Sequence, residues 1–265
     1  MDWLFEVTLR ELLVFTLVLA RVGGLMMSGP GLGAGAAPLK VRALLALVLA
    51  SIVTPAQFDG AVEAPASPAG HLLAIGGELV LGYTLGFGVT ALFSGVQLAG
   101  QIVSQMSGMT LADVYSPGFD SEMPLFSQLL YLVALAVYFA IGGHRLLVSG
   151  LLETFAAVPP GAVGIDMTLT DTIVTMIAGS FSLGIRAAAP AAAALLLATL
   201  VLGAISRTLP QLNVMSLGLG LNALATFAVL SLSMGAMICA FHDEVQGAVE
   251  AVVGSILAGM EARQW

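Results

Sequence analysis

The 265-residue chain is 58% hydrophobic and only 9% charged, and its net charge is −8. A soluble globular domain has roughly a quarter charged residues, so this composition, with a mean hydropathy of +1.02, excludes an ordinary water-soluble protein and predicts a membrane protein. Only eight residues are Lys or Arg and they form no basic cluster, so nucleic acid and anionic lipid are not expected partners. The single cysteine, Cys239, excludes an intramolecular disulfide and a cysteine-based metal cage.

The amino terminus does not have the pattern of a cleaved signal peptide. Asp2 and Glu6 occupy the region that is basic in such peptides, and Arg21 follows the apolar stretch. We therefore expect the first apolar run to remain in the mature protein.

Six apolar runs, taken in chain order, predict an all-α polytopic membrane protein. They cover residues 12–28, 39–57, 72–105, 125–158, 171–207 and 211–240. One membrane-spanning helix needs about 20 residues, so the third, fourth and fifth runs are too long for one simple span each. Gly142 and Gly143 are expected to split the fourth run, and Pro190 is expected to kink the fifth.

The few basic residues predict a membrane topology. Lys40 and Arg42 follow the first run and Arg207 lies between the fifth and sixth, whereas the loops near 58–70 and 159–171 carry only acids. Because cytoplasmic loops are enriched in Lys and Arg, this distribution places both termini outside the cytoplasm.

One face of the third run is small or polar along its whole length when the residues are placed at 100° intervals. Its members are Glu78, Gly82, Gly86, Gln97, Gln101 and Gln105. The glycines predict the close approach of another helix. The glutamines either hydrogen-bond across a helix bundle or line a water-filled path, and in both cases we expect this face to pack on protein.

Charged side chains within or beside the apolar runs are candidates for an ion relay or for structural ion pairs. An isolated charge in a spanning helix costs at least about 2.5–3.5 kcal/mol on insertion scales. The acids are Glu78 and Glu153, and pairing, for example of Glu78 with Arg186, is one way to offset that cost. We predict that Arg21, Arg186 and Arg207 are buried charges.

The sequence contains no motif for catalysis or cofactor binding. His71, His144 and His242 lie far apart without a second ligand at helical spacing, and there is no metalloprotease, serine-nucleophile or phosphate-binding pattern. We therefore expect no enzyme activity, no cofactor and no metal site.

The tail from His242 repeats apolar residues at helical spacing, with Glu244 and Glu250 on the polar side. This pattern predicts an amphipathic helix over 241–265, distinct from a helical membrane domain over 1–240. Because anionic lipid would repel the acids, docking on a protein partner is favoured.

The connection between the third and fourth runs, residues 105–124, is unusually apolar for a solvated loop. Its large apolar residues are Met106, Met109, Leu111, Val114, Tyr115, Phe119 and Met123. Ser116–Gly118 favours a turn, but flexible methionines suit a surface that must repack.

Six stretches, in order along the chain, resemble the FliR family of flagellar type III protein export. They are LARVGGLMMSGPGLG from Leu19, PLKVRALLALVLA from Pro38, GELVLGYTLGF from Gly77, VQLAGQIVSQM from Val96, IGGHRLLVSGLLETFAAVPPG from Ile141 and SRTLPQLNVMSLGLGL from Ser206. They are distributed along the chain from the first helix to about residue 230.

The resemblance implies a non-enzymatic structural and gating subunit that passes unfolded axial proteins during flagellum assembly. It implies long helical hairpins, similar to a FliP joined to a FliQ, within a conical export gate at the flagellar basal body in the bacterial inner membrane. FliP and FliQ are the implied partners, with FlhB and FlhA as further ones. The loop over 105–124 would be the pore plug, and the polar face of the third run would be a subunit-packing surface.

Two stretches depart from the family pattern. Ser116 stands where the family commonly has Asp, and Leu219, Gly220 and Asn222 stand where it commonly has Phe, Pro and a basic residue.

The alternative function is a secondary transporter for small solutes, which would require inverted repeats. No second copy of the LARVGGLM or QLAGQ pattern occurs.

Overall fold

Seven α-helices make up the part of the chain that the computed structural model describes, which is residues 2–31, 37–58, 67–108, 124–162, 167–208 and 214–261. The helices are α1 (Asp2–Ser28), α2 (Leu39–Val53), α3 (Pro68–Ser107), α4 (Leu125–Ala140), α5 (Gly143–Ala157), α6 (Met167–Thr208) and α7 (Val214–Glu261). A short 3-10 turn, Thr54–Gln57, follows α2. These ranges contain no strand, so the all-α prediction is confirmed for them.

The three longest helices far exceed the length of a simple membrane span. Helices α3, α6 and α7 contain 40, 42 and 48 residues. At the α-helical rise, even α3 is about 60 Å long, about twice the hydrocarbon thickness of a bilayer. Five helices are long and apolar enough to cross a membrane, or six if the bent α4–α5 pair counts as one span. The chain is thus a helical protein of the polytopic membrane type.

The predicted break in the fourth apolar run is confirmed. Helices α4 and α5 meet at a bend of 62°, and Gly142 at the bend has a left-handed backbone with φ +74°. A side chain would strain that conformation, which glycine adopts freely. In contrast, α6 continues through Pro190 without ending.

The described helices form two compact units. Unit 1 contains Met1–Ala91, Gly142–Ile177 and Val245–Trp265, and unit 2 contains Leu92–Ile141 and Ala178–Glu244. The long helices α3, α6 and α7 each contribute to both units. Helix α7 runs without interruption through residue 241, where the sequence predicts the start of a tail helix, and the two units divide α7 between Glu244 and Val245. The sequence has neither Pro nor Gly between 236 and 246, so nothing there stops the helix.

In unit 1, α1 packs against α3 at backbone distance. A Cβ added to Gly24 would overlap the carbonyl oxygen of Leu79, and one added to Gly82 would overlap that of Arg21. The Ser28 hydroxyl donates a hydrogen bond to the Tyr83 carbonyl at 2.9 Å. The small residues therefore set how closely these two helices approach.

In unit 2, the second half of α3 packs against α6 and α4 in the same way. A Cβ added to Gly95 would overlap the Ser180 carbonyl oxygen, and one added to Gly100 would overlap the Cα of Ser127. The Ser127 hydroxyl donates to the Gln97 carbonyl at 2.8 Å. Both units are thus built on close contacts of α3.

An aromatic cluster completes the core of unit 2. The Phe93 ring packs edge-on against Tyr131, Tyr138 and Phe241, with ring centroids 5.7, 5.7 and 5.2 Å away. Such pairs add about 0.5–1.5 kcal/mol each beyond the area they bury. The cluster joins α3 to α4 and to the part of α7 that belongs to this unit.

Candidate assembly and gating sites

A buried ion pair lies at the centre of unit 1. Arg21 on α1 and Glu78 on α3 are both 0% exposed, and the Arg21 Nε lies 2.5 Å from the Glu78 Oε2. The suggested pairing of Glu78 with Arg186 is wrong, because the carboxylate is bound by Arg21. Helical periodicity placed Glu78 on the correct face but did not identify the helix opposite it.

The other hydrogen bonds of the pair go to Thr154 in the last turn of α5 and to backbone groups just after that helix. The Arg21 Nη1 donates to the carbonyl oxygens of Thr154 and Val158, at 3.0 and 3.1 Å. The Gly161 N–H donates to the Glu78 Oε1 at 2.8 Å, and the guanidinium lies 4.3 Å from the Phe155 ring centroid. A cation is favourable near the carbonyls at a helix C-terminus. The pair therefore links α1, α3 and the end of α5, which are distant in sequence.

This network has a structural role, because it fixes the positions of the three segments that it joins. A desolvated ion pair is tolerated when its geometry is good and most of its other polar atoms are hydrogen-bonded; of the polar atoms of this pair, the Arg21 Nη2 is the one without a hydrogen-bond partner. The partners beyond the pair are chiefly backbone carbonyls and an amide, which do not relay protons by titrating. No group of three or more His, Cys, Asp or Glu side chains that could hold a metal occurs among the described residues.

The predicted packing face of α3 divides into two parts. Glu78, Gly82 and Gly86 are occupied within the chain by α1, so assigning them to subunit packing needs correction. The physical reason is that small residues favour any close helix, and the chain's own first helix fills the space. Gln97 and Gln101 are half-buried, and Gln105 is exposed.

Two of the three arginines predicted to be buried are exposed. Arg21 is enclosed, but Arg186 and Arg207 on α6 are exposed in the single chain. Arg207 lies in the last turn of α6, and Glu153 on α5 is also exposed. Apolar neighbours in sequence do not distinguish a helix face inside the chain from one that faces lipid or another subunit, so the burial of Arg186 and Arg207 within an assembly stays a prediction.

The predicted plug begins later than the sequence indicated. Gln105 and Met106 belong to the last turn of α3, which ends at Ser107 and is followed by Gly108 with φ +77°. Met106 is half-buried. The other predicted plug residues, Met109, Leu111, Val114, Tyr115, Phe119 and Met123, lie outside the described residues.

Large apolar side chains cover the exposed faces of α6 and α7. In the most apolar segment of α3, 67% of the residues are buried, compared with 17% in α6 and 22% in α7. Exposed examples are Val174, Phe181, Ile185, Leu197 and Leu200 on α6, and Leu221, Leu224, Phe227 and Leu232 on α7. Apolar surface of this extent marks contact with lipid or with protein.

Comparison with known proteins gives a consistent family. Residues 12–248 match the model of the family described as bacterial export proteins, family 1. The flagellar biosynthetic protein FliR of Aquifex aeolicus is 28% identical over 237 residues, covering 86% of this chain and 88% of that protein. FliR of Caulobacter vibrioides is 25% identical, covering 89% and 94%.

Similarity also extends to a secretion apparatus with another name. The secretion system apparatus protein SsaT of Salmonella typhimurium is 27% identical over 158 residues, covering 59% of this chain and 61% of that protein. The match is shorter than those to the two FliR proteins.

Proposed function

Because this chain belongs to the bacterial export proteins, family 1, together with the FliR proteins, we propose that it acts as the non-enzymatic structural and gating subunit of a flagellar type III protein export channel. Its place among the components of a type III export apparatus follows from the family match and the named relatives. Those relatives favour this class over a small-solute permease.

One structural observation carries the assembly part of the proposal. Helices α6 and α7 are 42 and 48 residues long, yet only about a fifth of their apolar segments is buried within the chain. Helices of about 63 and 72 Å cannot be covered by one bilayer of about 30 Å if they stand upright. Neighbouring protein subunits would cover the apolar surface of α6 and α7 that lipid does not cover.

The proposed partners are FliP and FliQ, with FlhB and FlhA as further contacts of the assembled apparatus. In this arrangement the chain supplies hairpins similar to a FliP joined to a FliQ in a conical gate. The proposed location is the flagellar basal body in the bacterial inner membrane, which is supported by the five helices suited to crossing a membrane. The proposed cargo is unfolded axial protein, as the flagellar names of the relatives suggest.

The proposed gate is the segment that follows α3. Residues 109–123 contain six of the seven large apolar side chains named for the plug, including two of its three methionines, and unbranched methionines repack readily. In the proposal this segment occludes the pore at rest and moves aside when a substrate passes.

Secretion in the native host tests the function. Deleting the gene should abolish export of hook and filament proteins, and the full chain supplied from a plasmid should restore it. Deleting 108–122 should leave the assembled gate intact and raise passive ion leakage. Unchanged export in the gene deletion would refute the proposed function, whereas unchanged leakage in an assembled loop deletion would refute only the plug.

A further inference from the structure

Arg186 is an exposed cation near the middle of an apolar helix. It lies 19 residues after Met167 and 22 before Thr208 in α6, about five and six turns from the two ends. Its Nε and Nη2 both donate to the Ser182 hydroxyl one turn earlier, at 3.1 and 2.8 Å. Among the described residues it forms no ion pair. The hydroxyl accepts hydrogen bonds but does not neutralise the charge.

The accessible residues around Arg186 on the same stripe of α6 are small. Gly179, Ser182, Ala189, Pro190 and Ala193 all lie within about 60° of Arg186 around the helix axis. Ala189, Pro190 and Ala193 are exposed, and a Cβ added to Gly179 would meet nothing within 4 Å. Farther along the stripe the exposed residues become large and apolar, at Leu197 and Leu200. The surface is therefore a shallow apolar strip with one charge in it.

The opposite side of α6 is already used within unit 2. A Cβ added to Gly184 would overlap the Gly95 carbonyl oxygen, and Ala188, Ala191 and Leu195 are buried. Gly184, Ala188, Ala191 and Leu195 lie roughly 140–180° from Arg186 around the helix. The contact with α3 thus directs the Arg186 stripe away from the core of its own unit.

The strip and its charge together define what can cover it. Lipid tails match the apolar residues but leave the guanidinium unpaired, which is unfavourable deep in a membrane. A lipid phosphate would reach Arg186 only if the membrane surface crossed the middle of α6, because Arg186 is about 28 Å or more from either end of the helix. A helix with small or apolar residues can approach the strip closely. A carboxylate on that helix could accept a bidentate, charge-assisted pair from the guanidinium.

We infer that the Arg186 strip of α6 is a docking surface for an apolar helix of another subunit, and that this helix carries one carboxylate at the level of Arg186. The inference rests on the proposed function, because it assigns a charge contact within the proposed assembly. It gives the charge in the middle of α6 a role in choosing a partner and fixing its register. A helix without the carboxylate would leave the cation unpaired and be rejected.

Charge substitutions in the full chain, expressed with its neighbouring export genes, test the inference. Arg186→Glu should reduce recovery of the chain in the detergent-purified complex by about tenfold or more, because two carboxylates would then face each other. Arg186→Met should have a smaller effect and Arg186→Lys the smallest, since Lys retains charge but not the fork geometry. Arg207→Glu, at the end of the same helix, is the matched control and should leave recovery within about twofold.

Reversal of the charge on the partner identifies the contact. Suppressors selected for restored export in Arg186→Glu should replace an acid of another subunit with Lys or Arg. If wild-type and Arg186→Glu chains enter the complex equally, this inference is overturned while the proposed function stands. If the wild-type chain never enters such a complex, the proposed function itself fails.

A cross-linking measurement covers the case in which Arg186→Glu is degraded before assembly. A photoreactive amino acid placed at Ala189 or Ala193 in the otherwise wild-type chain should cross-link to another subunit at an apolar, acid-containing helix. Cross-links to lipid alone, or only to this chain, would overturn the inference.

Discussion

Arg21 in unit 1 and Arg186 in unit 2 both occur in apolar sequence, yet their surroundings in the structure are opposite. Arg21 is enclosed and paired with Glu78, and it also binds backbone carbonyls. Arg186 is exposed and hydrogen-bonds only to a serine of its own helix among the described residues. The comparison separates a charge that stabilises the fold from one that is left for assembly. Substitution of Arg21 should therefore destabilise the isolated chain, whereas substitution of Arg186 should affect only the assembled complex.

The largest expected effect comes from breaking the buried pair. Arg21→Leu or Glu78→Leu leaves one unpaired charge in the core, and such changes cost about 3–5 kcal/mol. We expect the free energy of unfolding in detergent to fall by that amount and the chain to accumulate poorly. The measurement is thermal or denaturant unfolding of the purified chain together with its level in cells.

The double variant Arg21→Leu with Glu78→Leu sharpens this prediction. It removes both charges, so it should be more stable than either single variant. It should not restore full stability, because the carbonyls of Thr154 and Val158 lose their donor. A double variant less stable than both single variants would contradict an ion-pair role.

The next effect concerns the close approach of α1 and α3 in unit 1. Gly82→Ala places a Cβ against the Arg21 carbonyl, where the backbone must shift, and overpacking typically costs about 1–3 kcal/mol. Gly76→Ala in the same helix is the control, since a Cβ there meets nothing within 4 Å. Equal unfolding free energies for the two variants would rule out a close contact between α1 and α3 at Gly82.

The same comparison in unit 2 uses a pair of glycines on α6. Gly184→Ala should destabilise the chain by about 1–2 kcal/mol, because the added Cβ meets the Gly95 backbone. Gly203→Ala, which meets open space, should be neutral or slightly stabilising, by up to about 1 kcal/mol. Denaturant unfolding of both variants would show whether unit 2 has a core as specific as that of unit 1. Similar losses of unfolding free energy in Gly184→Ala and Gly203→Ala would mean that the core of unit 2 is less specific than that of unit 1.

The smallest effect is expected at the end of α6. Arg207→Gln removes a cation from the last helical turn, and such interactions are worth about 0.3–1 kcal/mol at exposed sites. The thermal midpoint should change little, and less in high salt. A loss comparable to that of Arg21→Leu would mean that Arg207 has a partner of its own.

The sequence predicted the features that depend on local chemistry. Gly142 and Gly143 marked the bend between α4 and α5, and the long apolar runs became the helices that the structure contains. The tail continues α7 because a change from a uniformly apolar to an amphipathic pattern does not end a helix that has no breaker. Both conclusions depend on propensities that act within a few residues.

Features that depend on distant contacts were not predictable in this way. The Glu78 partner was missed because periodicity gives a face and not its neighbour, and the Thr154, Val158 and Gly161 backbone groups have no side-chain signal at all. Arg186 was placed in the interior because an apolar context looks the same whether a helix faces its own core, lipid or another subunit. Only the three-dimensional arrangement of the chain distinguishes these cases.

The most direct test of the account is the native mass of the complex. The chain should be co-expressed with FliP and FliQ from the same genome and purified in mild detergent. We expect a stable heteromeric assembly that contains one copy of this chain. The backbone amides of α6 and α7 should exchange hydrogen for deuterium more slowly in that assembly than in the chain alone. A chain that purifies by itself, or a FliP–FliQ assembly whose mass leaves no room for it, would contradict the account.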